Sequence, residues 1–378
     1  RRVLFRSQFF IRIYDEIPTS VLAEFSKLKI LQAPNFRDFR QAFRAKLGRN
    51  FIVPANSFDN VKGQFPIGFF IWDTNQKEVF EETTTTIYDS KGEELGNKLI
   101  SSYLNDTNVI VWLRQYYDKQ GESIGFLRMN GTNIQNNLGI YITSKLSDND
   151  IHNHFYAEIT KTNILPMCIY LSIRETVNAN WINDRDQYLV PSSKWEDDKE
   201  FQYNCLIHSL FSGQNRIQSQ HGTNHWIPFS EEEVGAQDNF ESHFIHDFIM
   251  GKVKEEKPQQ KETMQDLFAE QEPQTTGGSS FTPTGPLEFS QEAQAVLDAG
   301  RELWRYYHKQ AGANPNASYY DIKMHFQGTK TTKSGKLQMN STSEDATYNT
   351  LLANLRQAMK GLAAHIEPKV YEYGFLKK

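Results

Sequence analysis

The fold is decided by two apolar runs, Phe51-Ile52-Val53-Pro54 and Ile67-Gly68-Phe69-Phe70-Ile71-Trp72, which are separated by a polar loop over residues 56–66. Short apolar runs bounded by turn residues are typical of buried β-strands. We therefore predict two neighbouring strands, with an antiparallel arrangement as one possibility.

Two further elements are predicted upstream of these strands. Residues 21–25 form a short apolar strand candidate, and an amphipathic helix opens at Pro34 and is expected to close near Gly48. This helix carries side chains at three- and four-residue spacing: Phe36, Phe39, Arg40 and Phe43. An earlier helix over residues 9–14 ends before Pro18. The order strand, helix, strand favours the edge of an α/β sheet.

Composition limits the classes of protein that the chain can belong to. Its 378 residues are enough for two or three domains at roughly 100–200 residues each. Hydrophobic residues make up 38%, aromatic residues 13%, and the net charge is −5, which excludes a uniformly basic nucleic-acid coat. A local basic face is still compatible with these values, because residues 1–50 hold 11 basic and 4 acidic side chains.

The location of the protein is predicted from its cysteines and its hydropathy. Cys168 and Cys205 are too few for a disulfide scaffold and fit a reducing compartment, so we expect the cytoplasm. No apolar run approaches the roughly 18 residues of a membrane span, and we expect no membrane association.

The chain divides into segments of different composition. An α/β segment at 8–74 is followed by an α+β region at 75–250, where short strand-like stretches alternate with Asn- and Asp-rich turns. Residues 251–286 are predicted to be a disordered linker, because they hold too little apolar surface to offset the entropy of ordering. Residues 287–378 are predicted to form a small, mainly helical domain.

Residues 1–7 contain Leu4-Phe5-Arg6-Ser7, which is similar to a translated sequencing adapter and predicts a cloning scar. The alternative is an ordinary basic start of a helix. Under the first interpretation, the chain from Gln8 onward is the rear part of a longer enzyme.

Local patterns predict several elements in the later segments. Residues 109–113 and 139–142 are strand-like, and Ser290 is the predicted N-cap of a helix. Residues 330–339 form a polar, Lys-rich loop in this prediction, and a long helix begins near Glu344.

Several stretches together resemble one enzyme family. KLKILQAP at residues 27–34 precedes a stretch from Phe51 to Trp72 that contains Val53-Pro54-Ala55 and Gln64-Phe65-Pro66. These stretches are similar to the distal half of the catalytic domain of adenine-specific DNA methyltransferases of restriction–modification systems. In that family a strand, a helix, a VPA-like strand and a hairpin follow the catalytic tetrapeptide. The likeness continues in WINDRD at 181–186 and in GTNHWIPF at 222–229.

The resemblance implies the distal part of a Rossmann-like methyltransferase sheet, followed by an α+β target-recognition region and a small helical domain. The implied cofactor is S-adenosylmethionine, which the family binds at a Gly-containing turn. The family holds the target amine with an Asn or Asp followed by Pro-Pro and an aromatic residue. This sequence has no Pro-Pro dipeptide, and residues 8–50 have no Gly-rich turn. Both motifs are expected upstream of Gln8, and no catalytic residue is assigned.

The resemblance also implies a base-stacking residue. A duplex adenine must leave the helix before its amine can react, and an aromatic residue in the loop before the last hairpin strand stacks on it. Phe65 stands at that place, Lys62 is a candidate phosphate contact, and Gly63 allows close approach of the backbone. The alternatives are a hydrophobic plug beneath the sheet for Phe65 and a solvated loop lysine for Lys62.

A basic rim provides further DNA-binding candidates, among which we single out Lys29, Arg37 and Arg40. The rim consists of Lys27, Lys29, Arg37, Arg40, Arg44, Lys46 and Arg49. It is expected to contact DNA phosphates in a salt-dependent manner, and the alternative is an ordinary solvated helix face. Asn183 and Arg185, beside Trp181, are candidates for base readout. The alternative for this pair is a turn that is held by Asp–Arg contacts and packed by the tryptophan.

Metal and nuclease sites are not predicted. No CxxC or HExxH motif occurs, so the spaced histidine pairs carry little weight as metal ligands. Asp321-Ile322-Lys323 and Glu367-Pro368-Lys369 match the short part of a nuclease motif, which we attribute to chance.

The first hypothesis is therefore the rear part of an S-adenosylmethionine-dependent methyltransferase that modifies the exocyclic amine of adenine and is inactive without its upstream part. The alternative is a DNA-binding specificity module of a restriction–modification system without catalysis of its own. The expected partners are double-stranded DNA and a restriction or specificity subunit.

Overall fold

The computed structural model of the chain describes residues 4–61, 63–118, 120–253, 283, 285–332, 335 and 337–377. These residues form a mixed α/β structure with a five-stranded sheet, a four-stranded sheet and a two-stranded hairpin. The predicted α/β class is confirmed. Most of the predicted linker, residues 254–282 and Thr284, lies outside the described residues, as does Lys62.

The front unit, residues 4–101, contains the five-stranded sheet and three helices. Its strands are β1 (Val21–Lys27), β2 (Ala45–Pro54), β3 (Pro66–Lys77), β4 (Glu82–Tyr88) and β5 (Glu94–Ser101). Its helices are α1 (Leu4–Glu16), α2 (Lys29–Gln32) and α3 (Arg37–Ala42).

The strand order of this sheet is β1-β3-β2-β4-β5. β3 pairs antiparallel with β1 and with β2, so β1 and β2 run in the same direction on either side of it. The antiparallel arrangement of the two apolar runs is thus confirmed. β2 also pairs parallel with β4, which pairs antiparallel with β5. The boundary predicted at residue 74 therefore falls inside β3, and the same sheet continues to Ser101.

The two faces of the front sheet differ. Side chains alternate between the faces along each strand, and Phe70 and Trp72 of β3 point to the covered face, where Phe43 lies 5.3 Å from Trp72 between ring centroids. The opposite face, called the open face below, carries an aromatic cluster with side chains that are half-buried or exposed. Its members are Phe25, Phe51, Phe58, Phe69 and Tyr88.

The rear unit comprises the described residues from 104 onward. Its first part contains α4 (Val109–Arg114), β6 (Ser123–Arg128), β7 (Tyr141–Thr143), α5 (Asp148–Asn153), β8 (Tyr156–Thr160), α6 (Ile164–Thr176), α7 (Lys199–Phe211), β9 (Asn215–Arg216), α8 (Glu231–Val234) and α9 (Phe244–Ile249). The second part contains α10 (Gln291–His308), α11 (Tyr319–Gln327), β10 (Thr329–Thr331), β11 (Leu337–Met339) and α12 (Ala346–Glu372). The strand order of the four-stranded sheet is β8-β6-β7-β9.

The C-terminal helices share one hydrophobic core with the rest of the rear unit. α12 packs against α6 and α7, and α10 packs against α7 and α12. The end of the chain also makes backbone hydrogen bonds with residues far upstream. Leu189 N donates to Phe375 O at 2.9 Å, and Ser192 N donates to Tyr373 O at 2.8 Å. Residues 287–377 therefore do not form a separate core, since the apolar faces of these helices are buried against α6 and α7.

Three local predictions need correction. Residues 109–113 form helix α4 and not a strand, because the Asn108 side chain caps its first turn by accepting from Ile110 N at 3.0 Å. The helix predicted to close near Gly48 ends at Ala42, and Gly48 lies in β2. The polar loop at 330–339 contains the strands of the β10–β11 hairpin.

Other predicted elements are confirmed. α1 covers residues 9–14 and ends before Pro18, and Ser290 caps α10 through a hydrogen bond from Ala293 N. The long C-terminal helix begins at Ala346, with Asp345 as its N-cap. Among the described residues, no helix combines the length and the apolar character that crossing a membrane requires.

Candidate nucleic-acid interface

The carboxyl ends of β1 and β2 lie at the same edge of the front sheet, because the two strands run parallel. β3 begins at this edge, where Pro54 pairs with Pro66 and Lys27 pairs with Ile67. The residue before β3, Phe65, meets the last residue of β1, Lys27, at this edge. This edge, called the strand-end edge below, is the candidate site.

Phe65 lies at the strand-end edge, directly before β3. Its backbone is fixed because Ala55 N donates to Phe65 O at 2.9 Å. The side chain is half-buried, and the Lys27 ammonium lies 4.4 Å from the centroid of its ring. An aromatic ring and a cation are thus held together where β1 ends, which is the combination that contacts unpaired bases and phosphates in single-stranded nucleic-acid sites.

The loop that leads to Phe65 is exposed at Gly63. This glycine has φ of 103°, a left-handed value that residues with side chains rarely adopt, and apart from its chain neighbours no atom of the described residues lies within 4 Å of the position that a Cβ would take. Another molecule can therefore approach the backbone here. Lys62 lies outside the described residues, and its assignment as a phosphate contact stays a prediction.

The charge of Arg185 acts on Lys29, although 156 positions separate the two residues in the sequence. Burial lowers the pKa of Lys29, and the neighbouring charges of Arg185 and Lys27 lower it further. Arg185 is only 6% exposed, and its Nε lies 3.5 Å from Asp184 Oδ1. Burial also raises the pKa of Asp184 to about 6.

The side chains of Arg185 and Asn183 contact other residues of their own turn. The Asn183 side chain accepts from Asn180 N at 2.8 Å and donates to Asn178 O at 2.9 Å. Trp181 packs against the core of the front unit. Arg185 cannot read bases in this conformation because it is buried, and the geometry favours the alternative of a buttressed turn.

Arg40 is a structural residue and not part of a DNA-facing rim. It is 3% exposed, and its Nη1 donates to Ile30 O at 3.2 Å and to Ala33 O at 2.9 Å. Burial lowers its pKa to about 10, with a smaller contribution from Arg37. The guanidinium thus satisfies backbone carbonyls at the end of α2. Arg37 is exposed at the start of α3 and remains a candidate phosphate contact.

A polar network that was not predicted from the sequence joins the two units. Asp186 accepts from Gln32 Nε2 at 3.2 Å through Oδ1, and its Oδ2 lies 2.6 Å from Lys98 Nζ. Burial raises the pKa of Asp186, and Lys98 and Gln32 oppose that effect. The local sign of this network in the sequence is Gln32, a polar residue that directly follows the apolar pair Ile30-Leu31.

The turn after β1 does not fit S-adenosylmethionine. No glycine lies between Lys27 and Ala42, and Leu28 fills the turn as a fully buried side chain. The backbone therefore cannot approach a cofactor here as a Gly-containing turn does. Within the described part of the chain, no group of three or more His, Cys, Asp or Glu side chains is arranged to hold a metal ion.

Comparison with known proteins assigns neither a family nor a function to this chain. No family model, no curated protein and no solved structure matches the chain. The function must therefore be argued from the strand-end edge itself, which holds Phe65 and Lys27 together at the carboxyl ends of two parallel strands.

Proposed function

We propose that the chain is the distal part of an adenine-specific DNA methyltransferase and supplies the loop that stacks on the target base. The observation that carries the proposal is the half-buried Phe65 ring beside Lys27 at the strand-end edge. In this proposal the ring stacks on the extrahelical adenine, and Lys27 and Arg37 contact backbone phosphates.

The order of elements in the front unit supports the proposal. β1 is followed by α2 and α3, then by β2 with Val53-Pro54-Ala55 at its end, and then by the antiparallel β3. This is the order strand, helix, VPA-like strand and hairpin that the resemblance implies. The likeness is one of order and of short motifs.

In this proposal, methyl transfer also requires cofactor-binding and catalytic residues, and Phe65, Lys27 and Arg37 do not supply those roles. S-adenosylmethionine supplies the methyl group, and the turn after β1 does not fit it. We therefore expect the chain alone to bind S-adenosylmethionine weakly. Calorimetry that finds micromolar affinity would contradict this expectation.

DNA binding to a base that is already unpaired tests the role of Phe65. We expect the chain to bind a duplex with an extrahelical adenine more tightly than a fully paired duplex. Phe65→Ala is expected to remove about 1–3 kcal/mol of that preference, because base–aromatic stacking contributes that much. Fluorescence anisotropy with the two duplexes measures both affinities at one salt concentration.

Two further variants separate stacking from general binding. Lys27→Met is expected to weaken binding to both duplexes equally, since phosphate contacts carry no base preference. Phe155→Ala, an exposed phenylalanine of the rear unit at 62% exposure, is the matched control and should leave both affinities unchanged. An unchanged preference in Phe65→Ala would remove Phe65 from the proposed base pocket.

The second candidate is a DNA-binding specificity module without catalysis, in which the Pro-Pro dipeptide and the Gly-rich turn that this chain lacks are absent upstream as well. The genomic sequence directly upstream distinguishes the two candidates. A Gly-rich turn and an Asn/Asp-Pro-Pro-aromatic motif in the same frame support the methyltransferase. A start codon near Gln8 supports the specificity module.

A further inference from the structure

The β10–β11 hairpin is a two-stranded ribbon whose two faces are both exposed. Among the described residues, its strands pair only with each other, and Lys330 lies opposite Gln338 and Thr331 opposite Leu337. Because side chains alternate between the faces of a strand, Lys330 and Gln338 share one face, and Thr331 and Leu337 share the other. All four side chains are exposed, and 76% of Leu337 is exposed. Neither face is therefore covered by the described part of the rear unit.

The base of the hairpin is fixed to the rear unit. Asn340 N donates to Gly328 O at 3.1 Å, which closes the ribbon at its base, and Ser343 Oγ donates to Phe326 O at 2.6 Å. The Phe326 ring stacks on that of Tyr348, which is fully buried, with the centroids 4.4 Å apart. A two-stranded hairpin is only marginally stable by itself in water. These contacts to the core therefore determine where the ribbon lies.

The charged residues of the hairpin are all basic. Residues 329–339 contain Lys330, Lys333 and Lys336 and no Asp or Glu. Lys333 and Lys336 lie outside the described residues and enter only into this count of charges. Lys330 is described and exposed. A polyanion is the partner that complements a ribbon with three lysines and no carboxylate.

A polar groove of about 750 Å³ lies at the base of the hairpin, beside Lys330. Its lining includes the amide and hydroxyl side chains of Gln310, Asn340, Ser341 and Thr342. Such side chains contact the phosphate and sugar oxygens of DNA. Glu344 and Asp345 also line the groove, and Asp345 accepts from Tyr348 N at 2.8 Å as the N-cap of α12. The exposed Glu344 carboxylate opposes the binding of a phosphate, which provides a variant that should strengthen it.

We propose that the β10–β11 hairpin enters the major groove of duplex DNA and contacts base edges with Lys330 and Gln338. The major groove is roughly 12 Å wide and admits a two-stranded β-ribbon. Glutamine can bind N6 and N7 of adenine, and lysine can bind O6 and N7 of guanine. Since Lys330 and Gln338 are cross-strand partners on one face, they reach the same or neighbouring base pairs. The inference rests on the proposed function for its ligand, duplex DNA, and assigns base readout to a different segment from the turn that holds Arg185.

Shortening of the hairpin tests its role in binding. Residues 330–338 are replaced by Gly-Gly, which can close the chain because Thr329 and Met339 are cross-strand partners. The shortened protein is expected to keep its Tm within about 2 °C, because the exposed strands bury little surface. Its affinity for a fully paired DNA duplex should fall about tenfold, and the slope of log affinity against log salt should decrease by about 1 to 3. Glu344→Gln in the full-length protein should raise the affinity about twofold.

Duplex RNA of the same sequence distinguishes groove entry from attraction by charge. The major groove of an RNA duplex is too deep and narrow for side chains to read. Shortening of the hairpin should therefore weaken RNA binding by only about threefold, through the lost lysine charges. Equal losses for DNA and RNA would overturn entry into the major groove. Unchanged affinity for DNA would overturn the inference altogether.

Gln338→Ala tests base readout without a change of charge. Selection from a pool of random DNA duplexes is expected to enrich one sequence with the unmodified protein, and Gln338→Ala should lose about tenfold of the preference at one base pair. Gln357→Ala, at an exposed glutamine of α12, is the matched control and should keep that preference. The same enriched sequence with Gln338→Ala, or no enrichment with the unmodified protein, would overturn base readout by the hairpin.

Failure of this inference is distinguishable from failure of the proposed function. The preference for an extrahelical adenine depends on Phe65 at the strand-end edge, and the shortened protein should keep it. Unchanged DNA affinity in the shortened protein would overturn the role of the hairpin and leave that of Phe65 intact. An unmodified protein that binds neither the paired duplex nor the duplex with an extrahelical adenine would overturn both.

Discussion

The front and rear units bury their apolar residues in different ways. In the rear unit, α6 is enclosed by neighbouring elements, and nearly all of its side chains are buried. In the front unit, the sheet is covered on one face, and the open face exposes 48% of Phe25 and 69% of Val21. We infer that the rear unit contributes most of the stability and that the front unit presents surface for contacts.

Two lysines of the front unit have different surroundings. Lys98 extends from the front sheet to Asp186, where 16% of its side chain remains exposed, whereas Lys27 at the strand-end edge is exposed beside Phe65. A basic residue in the front unit can therefore either form an ion pair with the rear unit or be a candidate contact for DNA. Position in the sequence does not separate the two roles.

Trp304→Ala is expected to have the largest effect, a loss of about 4 kcal/mol in the free energy of unfolding. Trp304 is 1% exposed and packs against Phe211, Phe229 and Tyr319 in the shared core of the rear unit. Urea unfolding followed by circular dichroism measures the loss. Trp304→Phe, which keeps a ring in place, should lose much less. A small loss in Trp304→Ala would contradict the shared core.

Lys98→Met is expected to cost about 3 kcal/mol, because it leaves the Asp186 carboxylate buried without its cation. The matched control in the same sheet is Lys46→Met, whose pair with Glu78 is exposed and 3.8 Å long, and which should change the free energy of unfolding very little.

The double variant Lys98→Met/Asp186→Asn should recover part of the loss, since it removes the uncompensated charge. Equal effects of Lys98→Met and Lys46→Met in urea unfolding would show that the contact between the units does not stabilise the protein.

Lowering the pH from 7 to 5 is expected to cost about 2 kcal/mol through His208. Burial lowers the pKa of His208 to about 4, and its Nδ1 lies 3.2 Å from Ser172 Oγ between α6 and α7. The unfolded chain, with the ordinary pKa of 6.5, takes up the proton first, so stability falls as the pH falls below 6.5.

Urea unfolding at both pH values, in the unmodified protein and in His208→Gln, isolates this contribution. Glu175 and Asp184, whose pKa values are raised by burial, act in the opposite direction in both proteins and cancel in the difference. A pH dependence that is the same in His208→Gln would rule out His208 as the cause.

Phe25→Ala is expected to have the smallest effect, less than about 1 kcal/mol, because its ring is already half exposed on the open face. Phe70→Ala is the matched comparison on the covered face of the same sheet and should cost several kcal/mol. Equal losses in thermal or urea unfolding would mean that the open face is covered in solution.

Much of the front sheet was predictable, because its signals are local. The apolar runs at 51–54 and 67–72 and the intervening loop predicted two strands, and the structure pairs them antiparallel. Residues 109–113 were wrongly predicted to be a strand because three of them are β-branched. They form a helix whose first turn is capped by the Asn108 side chain. The shared rear core was not predictable from composition, because the polar segment at 251–286 predicted a linker between two separate domains.

The α/β character of the front unit, and the position of Phe65 before the last strand of its first hairpin, could be predicted from local sequence patterns. Which charged side chains are exposed could be seen only after the chain was folded. Arg40 and Arg185 looked like DNA contacts but are buried, whereas Lys27 meets Phe65 at the strand-end edge. Alternation along a strand is a property of neighbouring residues, but burial of a charge depends on partners that lie far apart in the chain.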